Sequence, residues 1–312
     1  MNSPKISILI PVFNRNKYIS ECIDSALHQS FQDFEVVVVD NASDDGTWEI
    51  CQKYAERNPR VRVFRNGENI GPVRNWIRCA QEARGEYSKM LFSDDLLEID
   101  CIERMLGEIV DPEVGFVYSA ARVGEKKESS AIFYLSNCGS SFDKEHYLSL
   151  VLRHQAPVSP GAVMLRTKDL IVSLRESLPT ATPRPFDMHG AGPDLMIMLL
   201  TMDHYASVVF IREPLVFFRN HAESFTVLNS NGKIVDGYNS AIALYLKSQG
   251  RYFAWMCYVS RIWSSRVWRQ KKLISPALVL VEYEGSGSLF ESVVFIIIFP
   301  VLLINLFINK MD

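Results

Sequence analysis

The 312-residue sequence lacks the motifs of several large enzyme classes. No GxGxxG follows its first predicted strand, which argues against a nicotinamide-dependent oxidoreductase. A P-loop and an HExxH helix are also missing. The six cysteines form no CxxC pair and no Cys/His cluster. The sequence therefore predicts reduced, buried thiols, as in a cytosolic compartment.

The sequence also has no large excess of charge of one sign. Its formal net charge of -3 gives no indication of a nucleic-acid partner. The apolar run at the N-terminus is too short for a signal peptide and has no small-residue cleavage site. Hydrophobic residues make up 48% and charged residues 22% of the chain, which predicts a sizeable core in one large domain or a domain with an appendage.

The first hundred residues alternate apolar runs with amphipathic segments. The predicted strands are Ile6–Val12, Phe34–Val39, Val61–Phe64 and the run that ends near Phe92, and the predicted helices include Lys17–Gln29 and Val73–Ala83. Phe34–Val39 is apolar on both faces, which is typical of a central parallel strand covered on both sides. This alternation predicts a doubly wound, mostly parallel α/β sheet.

The apolar run within Gly85–Leu97 ends in two adjacent carboxylates, Asp94 and Asp95. Open α/β sheets bind ligands at the carboxyl ends of their strands, and hard oxygen ligands suit Mg²⁺ or Mn²⁺ that carries a diphosphate. The alternative is a solvated turn in which Asp95 caps a helix over Leu96–Ile109.

The pattern is less regular after residue 113. The predicted strands are Val114–Ala121, Gly161–Leu165, Ala206–Ile211 and Leu215–Phe218, and the predicted helices are Tyr147–His154, Lys168–Leu174 and Leu195–Met202. The segment Pro179–Pro193 is rich in Pro and Gly and predicts a loop long enough to be functional.

The last part of the chain is basic and aromatic. Residues 251–272 contain six basic residues, three tryptophans and no acid, which predicts an amphipathic helix at a lipid interface. The alternative is a helix docked on the main domain. Val293–Ile308 carries no charge and would be roughly 24 Å long as a helix, so it spans a bilayer with flanking help or lies as a re-entrant segment. The basic residues before it place the main domain on the cytoplasmic side.

Three segments in order, SILIPVFNRNKYISECIDSALHQS, VVVVDNASDDGTWEI and NIGPVRNWIRCAQEARGEYSKMLFSDD, closely follow a known pattern. Residues 5 to about 225 resemble the family 2 glycosyltransferases, which are inverting enzymes with the GT-A fold. The resemblance implies a catalytic domain over residues 1–225, with a nucleotide-sugar-binding half (1–112) and an acceptor half (113–225). A C-terminal membrane-associating region would cover residues 226–312.

The resemblance also implies a donor site. Asp40 would accept hydrogen bonds from the uracil edge of a UDP-sugar, and Arg74 and Asn75 would lie beside the nucleotide. The remaining implied nucleotide-sugar-binding residues are Pro11, Phe13, Asn14, Arg15, Ser93 and Asp94. Asp44 or Asp45, with Thr47, is instead predicted to cap the helix that follows.

The implied metal site consists of Asp94, with Asp95 as a helper, and His221 from the segment FRNHAES. Many family members have a third acid two residues before Asp94, where this chain has Phe92. A phenyl ring cannot ligate a metal, so the site would depend on Asp94, the diphosphate and water for binding Mg²⁺ or Mn²⁺.

Asp194 occupies the place of the family's general base, with Pro193 in the position of the usual Glu. The alternative is an acid at a helix N-terminus without a catalytic role.

The implied function is metal-dependent, inverting transfer of a hexose or N-acetylhexosamine from UDP to a hydroxyl of a saccharide. A polyprenyl-linked acceptor is expected, in bacterial surface-polysaccharide assembly at the cytoplasmic face of the inner membrane. The alternative function is a non-catalytic, membrane-tethered nucleotide-sugar-binding or scaffold subunit, which Phe92 and Pro193 favour.

Overall fold

The computed structural model describes residues 3–133, 139–153, 155–178, 190–224 and 233–270, without the side chains of residues 233 and 263–270. The strands are β1 (Ile6–Val12), β2 (Phe34–Asp40), β3 (Val61–Arg65), β4 (Tyr87–Met90), β5 (Leu96–Leu97), β6 (Val114–Gly124), β7 (Ala131–Phe133), β8 (Ser141–Asp143), β9 (Val163–Arg166) and β10 (Ser207–Arg219). The helices are α1 (Ile19–Leu27), α2 (Thr47–Arg57), α3 (Pro72–Glu82), α4 (Cys101–Ile109), α5 (Lys144–Leu152), α6 (Thr167–Ser173), α7 (Pro193–Thr201), α8 (Lys233–Ser248) and α9 (Tyr252–Gln270).

The main path of the sheet runs in the order β3-β2-β1-β4-β9-β6-β10-β5. The first four of these strands are parallel, as predicted. The strand β9 lies between β4 and β6 and runs antiparallel to both, and β10 is parallel to β6. A mixed half that contains β6, β9 and β10 therefore continues the parallel half of this α/β fold.

Every residue of β1 and β2 is buried, because helices cover both faces of these strands. Leu9, Val37 and Val39 contribute to the core on one face, and Ile8 and Val38 contribute to the core on the other. This alternation is what two-sided burial of an apolar strand requires. The five cysteines in the described residues are free and wholly or partly buried, as predicted.

One local prediction and one of the alternatives are wrong. The segments predicted as separate strands on either side of Pro214 form the single strand β10, whose pairing with β6 shifts register around that residue. Proline has no N–H to donate, so the ladder is interrupted there without ending. The chain after Asp95 enters β5 before α4 begins at Cys101, so Asp95 caps no helix.

The helices α8 and α9 pack on the main domain. Trp255, Tyr258 and Val259 are buried in the same core as β1 and α7, so this part of the predicted lipid-facing surface contacts protein. Tyr252 and Phe253, at the start of α9, are exposed. Among the described residues, no helix is both long and apolar enough to span a bilayer, and Val293–Ile308 lies outside those residues. The division of the chain at residue 225 stays a prediction.

Candidate active site

The turns after β1 and β2 are bonded to each other. Asn14, with a φ of +50°, donates its backbone N–H to Ser43 Oγ at 2.9 Å. The N–H of Arg15 donates to Thr47 Oγ1 at 2.8 Å. Asp45 accepts the N–H of Thr47, the first residue of α2, at 3.0 Å, while the N-cap position itself is occupied by Gly46. These bonds fix the backbone of Arg15 at the carboxyl ends of the parallel strands.

Asp40 ends β2 and is completely buried. Its Oδ2 accepts the N–H of Ser43 at 3.1 Å and lies 3.3 Å from Nε of Arg65. Its Oδ1 has no hydrogen-bond partner among the described residues. Since buried polar atoms are nearly always paired, this oxygen is an acceptor position suited to a ligand. The predicted contact with a uracil edge stays a prediction.

Arg74 and Asn75 are adjacent in the first turn of α3 but have different surroundings. Asn75 is buried, and its Nδ2 donates to the carbonyl of Val39 at 3.0 Å while its Oδ1 accepts from Asn66 at 2.9 Å. Its amide therefore holds α3 against the end of β2. Arg74 is half-exposed and forms an ion pair with Glu176 at 2.5 Å.

Asp94 lies in the turn after β4 and meets the side chains of Arg15 and His221. Its Oδ2 is 3.0 Å from Nε2 of His221 and 3.3 Å from Nε of Arg15. The ring of His221 lies against the ring of Tyr18, with centroids 4.6 Å apart. The Asp94, His221 and Arg15 side chains are 15%, 11% and 20% exposed, so solvent and ligands can reach this cluster. Of the other predicted donor-site residues, Pro11 and Ser93 are buried and Phe13 is exposed.

Asp95 is bonded to the backbone. Its Oδ1 accepts the N–H of Arg219 at 2.9 Å, and the Arg219 side chain donates to the Asp94 carbonyl and pairs with Glu21. Burial and the neighbouring Asp94 charge raise the pKa of Asp95 well above its usual range. Asp95 thus holds Arg219, the last residue of β10, beside Asp94. Because His221 follows Arg219 by two residues, this contact also brings His221 next to Asp94.

The residues in this cluster fit a divalent cation. No three His, Cys, Asp or Glu side chains in the described part of the chain are grouped as a complete metal site. Asp94 and His221 nevertheless supply an adjacent carboxylate and imidazole. Mg²⁺ is commonly held by one or two carboxylates together with substrate phosphates. Asp95 is 7% exposed and bonded to Arg219, which suits a supporting role rather than direct ligation.

Asp194 is the second residue of α7 and is buried. Its Oδ1 accepts the N–H groups of Gly192 at 2.8 Å and Leu195 at 2.7 Å, and its Oδ2 accepts the hydroxyl of Tyr238 at 3.0 Å. Burial raises the pKa of Asp194 to about 7, although these hydrogen bonds favour the ionised form. A carboxyl group that ionises near neutral pH is suited to general-base catalysis.

Trp76 connects the turn that carries Asp94 with the turn before Asp194. Its ring centroid is 5.6 Å from that of Phe92. A Cβ atom on Gly190, whose φ is +67°, would lie 2.1 Å from Trp76 Cη2, so only glycine fits this close approach. Phe92 therefore packs in an aromatic contact at the position where the family pattern has an acid.

Three residues at the site were not predicted from the sequence, namely Arg65, Arg219 and Tyr238. Arg219 lies in the segment FRNHAES, which was singled out for His221, so that segment could have pointed to Arg219 as well. Arg65 ends β3, beside the end of β2. Tyr238 lies beyond the region of resemblance, and no sequence pattern pointed to it.

A family model described as glycosyl transferase family 2 matches residues 7–171. Glycosyltransferase GlyG from Streptococcus pneumoniae serotype 4 is 25% identical over 227 residues, which cover 71% of this chain and 73% of that protein. Chondroitin synthase from Escherichia coli is 39% identical over 121 residues, which cover 38% of this chain but only 17% of the synthase.

Among solved structures, S. aureus TarS 1–349 in complex with UDP-GlcNAc superimposes with a TM-score of 0.60 at 18% identity. The match covers 78% of this chain and 66% of that chain. At this level of identity the likeness shows the fold, which is the predicted GT-A fold.

Proposed function

This chain belongs to glycosyl transferase family 2, and we propose that it transfers a sugar from a UDP-sugar to a saccharide hydroxyl with inversion at the anomeric carbon. The observation that carries the proposal is the meeting of Asp94, His221 and Arg15 at the carboxyl edge of the sheet. These groups come from distant parts of the chain and together suit a diphosphate and its cation.

The donor's uracil is proposed to bind at the end of β2. Oδ1 of Asp40, which has no partner within the described residues, would accept the N–H of a uracil ring, while Arg65 and the N–H of Ser43 hold the other oxygen. Because Asn75 donates to the carbonyl of Val39, it holds the last residues of β2 in this position. The TarS structure with UDP-GlcNAc is consistent with a UDP-linked donor.

The departing diphosphate is proposed to lie at the cluster of Asp94, His221 and Arg15. Asp94 and His221 would hold Mg²⁺ or Mn²⁺, which would neutralise negative charge on the leaving UDP. Arg15, which now pairs with Asp94 at 3.3 Å, would pair with a phosphate oxygen when the donor is bound. Asp95 keeps this arrangement in place through the backbone of Arg219.

Asp194 is proposed as the general base. As the acceptor oxygen forms its bond to the anomeric carbon, the bond to UDP breaks with its electron pair on UDP, and the hydroxyl proton passes to Asp194. A pKa of about 7 leaves a substantial ionised fraction at neutral pH while keeping the carboxylate basic enough to accept that proton. The backbone bonds from Gly192 and Leu195 orient the carboxylate.

The acceptor is proposed to be a saccharide, polyprenyl-linked, in the assembly of bacterial cell-surface polysaccharide at the cytoplasmic face of the membrane. The similarity to chondroitin synthase supports a polysaccharide product. The basic segment 251–272 supports contact with an anionic lipid surface. A hexose or an N-acetylhexosamine is the proposed sugar.

The experiment that tests this function is the release of UDP from a panel of UDP-sugars, beginning with UDP-GlcNAc, in the presence of Mn²⁺, Mg²⁺ or EDTA. We expect metal-dependent release from one donor and its loss in Asp94→Asn. Asp24→Asn is the matched control, because Asp24 is an exposed carboxylate bonded to Tyr54 outside the site.

Release that persists in EDTA and in Asp94→Asn would overturn the proposed metal site. UDP binding without release from any donor, and without transfer to any saccharide in an acceptor screen, would favour the alternative of a non-catalytic binding subunit.

A further inference from the structure

The helix α8 approaches the start of α7 unusually closely. A Cβ atom on Gly237 would lie 2.3 Å from the carbonyl oxygen of Ala191, and one on Gly192 would lie 2.8 Å from the carbonyl oxygen of Gly237. Gly192 also has a φ of +109°, which L side chains rarely adopt. Two glycines therefore allow the two backbones to touch next to Asp194.

This close approach brings Tyr238 onto Asp194. The hydroxyl of Tyr238 donates to Asp194 Oδ2 at 3.0 Å, while the backbone N–H groups of Gly192 and Leu195 donate to Oδ1. The phenol is the side-chain donor among these three, and it comes from a helix outside the segment matched by the family model. The helix α8, which comes after His221 in the sequence, therefore contacts Asp194 through Tyr238.

We propose that Tyr238 is a positioning residue for Asp194, holding Oδ2 in one orientation and favouring the ionised form of the carboxyl group. The proposal rests on the proposed function of Asp194 as the general base. On this proposal the helix α8 contributes to the reaction, because its Tyr238 orients the carboxylate of Asp194 on α7.

A second tyrosine on α8 provides a comparison of the same chemistry away from the site. The hydroxyl of Tyr245 donates to Asp203 Oδ1 at 2.6 Å. Asp203 is also bonded to Lys144 and Gln249, so its charge is balanced by a cation. Within the described part of the chain, no ion pair of Asp194 is found, and its bonds come from two backbone N–H groups and the Tyr238 hydroxyl.

Other titratable groups lie on the elements packed against α7. Among the described side chains they are Lys168 and Asp169 on α6, Asp203 and His204 directly after α7, Tyr118 and Arg122 on β6, and Asp236, Tyr245 and Lys247 on α8. Asp169 accepts the hydroxyl of Tyr205, and Asp203 is bonded as described. The hydrogen bond from Tyr238 is the interaction that a single conservative substitution can remove from Asp194.

The test compares Tyr238→Phe and Tyr245→Phe with the wild type. The ionisation of the Asp194 carboxyl is followed by ¹³C NMR of selectively labelled protein, with Asp194→Asn to assign the signal, and the pH dependence of kcat is measured on the donor that the UDP-release panel identifies. We expect Tyr238→Phe to raise the pKa of Asp194 by about one unit, since it loses one hydrogen bond to a charged group. At pH 7 kcat would fall about fivefold and recover above pH 9, with the donor KM unchanged.

Tyr245→Phe is expected to leave both the titration and the pH profile of kcat as in the wild type. An Asp194 titration that is the same in Tyr238→Phe and the wild type would overturn the proposal, whatever the activity. A raised Asp194 pKa with an unmoved pH profile of kcat would uphold the contact and overturn the assignment of Asp194 as the base, which separates the two failures.

Discussion

The contact between α8 and the turn before Asp194 predicts opposite outcomes for the same substitution in two helices. Gly237 in α8 and Gly107 in α4 are both helical glycines. A Cβ atom on Gly107 would meet nothing within 4 Å, whereas one on Gly237 would lie 2.3 Å from the carbonyl oxygen of Ala191 and 2.9 Å from its carbonyl carbon. The substitution by alanine therefore has the same effect on the helical backbone at both positions, but it creates a steric clash only at Gly237.

The magnitude follows from this difference. Replacing glycine by alanine inside a helix stabilises it by about 0.5–1 kcal/mol, which we expect for Gly107→Ala. Gly237→Ala has the same gain but forces two backbones apart, and overpacking of this kind costs about 1–3 kcal/mol. The free energies of unfolding of the two variants should therefore differ by about 1–3 kcal/mol, and their Tm values by about 2–4 °C for each kcal/mol.

Urea denaturation and calorimetry of the two variants measure this difference directly. The displacement of α8 in Gly237→Ala should also weaken the bond between Tyr238 and Asp194, so kcat should fall in Gly237→Ala and stay unchanged in Gly107→Ala. Equal unfolding free energies for the two variants would refute the close approach of α8 to Ala191, and with it the reasoning that places Tyr238.

Three further predictions concern the site itself. Asp95→Asn retains an oxygen for the Arg219 N–H, so calorimetry should show that this variant still binds UDP with Mn²⁺. Asp94→Asn should bind UDP with Mn²⁺ at least about tenfold more weakly. Equal losses of affinity in the two variants would refute the different roles of Asp94 and Asp95. Because the pKa of Asp194 is raised from 3.8 to about 7, its contribution to stability is complete below pH 4 and is lost as the pH rises through 7. The Tm of Asp194→Asn relative to the wild type should therefore be higher at pH 8 than at pH 5, and a pH-independent difference would contradict the raised pKa. Phe92→Asp should lower the Tm, because a carboxylate would replace a ring packed on Trp76, and an unchanged Tm would contradict that packing.

The parallel half of the sheet was predictable from the sequence because its residues carry a local signal. β1 and β2 are runs of apolar residues that helices bury on both faces, and both were predicted within one residue of their observed bounds. The helix α3 follows a glycine and begins at Pro72, as capping preferences favour. In these segments each local preference agrees with the final fold.

The second half was less predictable because the direction and pairing of a short strand leave no periodic pattern. β9 has four residues, and nothing in them specifies that they run antiparallel between β4 and β6. The strand β10 was predicted as two strands because the exposed Arg212 and Glu213 interrupt its apolar run.

The site was predictable where a motif names the residue and unpredictable where a contact joins distant residues. Asp94, His221 and Arg15 were all predicted, and the structure brings them together. The bond from the Arg219 N–H to Asp95 spans 124 residues, and the bond from Tyr238 to Asp194 spans 44. Such pairs are set by the packing of whole elements, so a single sequence carries no pattern that identifies them.

The most direct test of the central claim is to measure UDP binding and UDP release in the same Asp194→Asn protein. The donor is proposed to bind at Asp40 and Asp94, and the proposed base is Asp194. We therefore expect Asp194→Asn to bind UDP with Mn²⁺ as tightly as the wild type but to release UDP in the presence of acceptor about 10²–10⁴-fold more slowly. Release at the wild-type rate by Asp194→Asn, or loss of UDP binding in that variant, would contradict this division of the site.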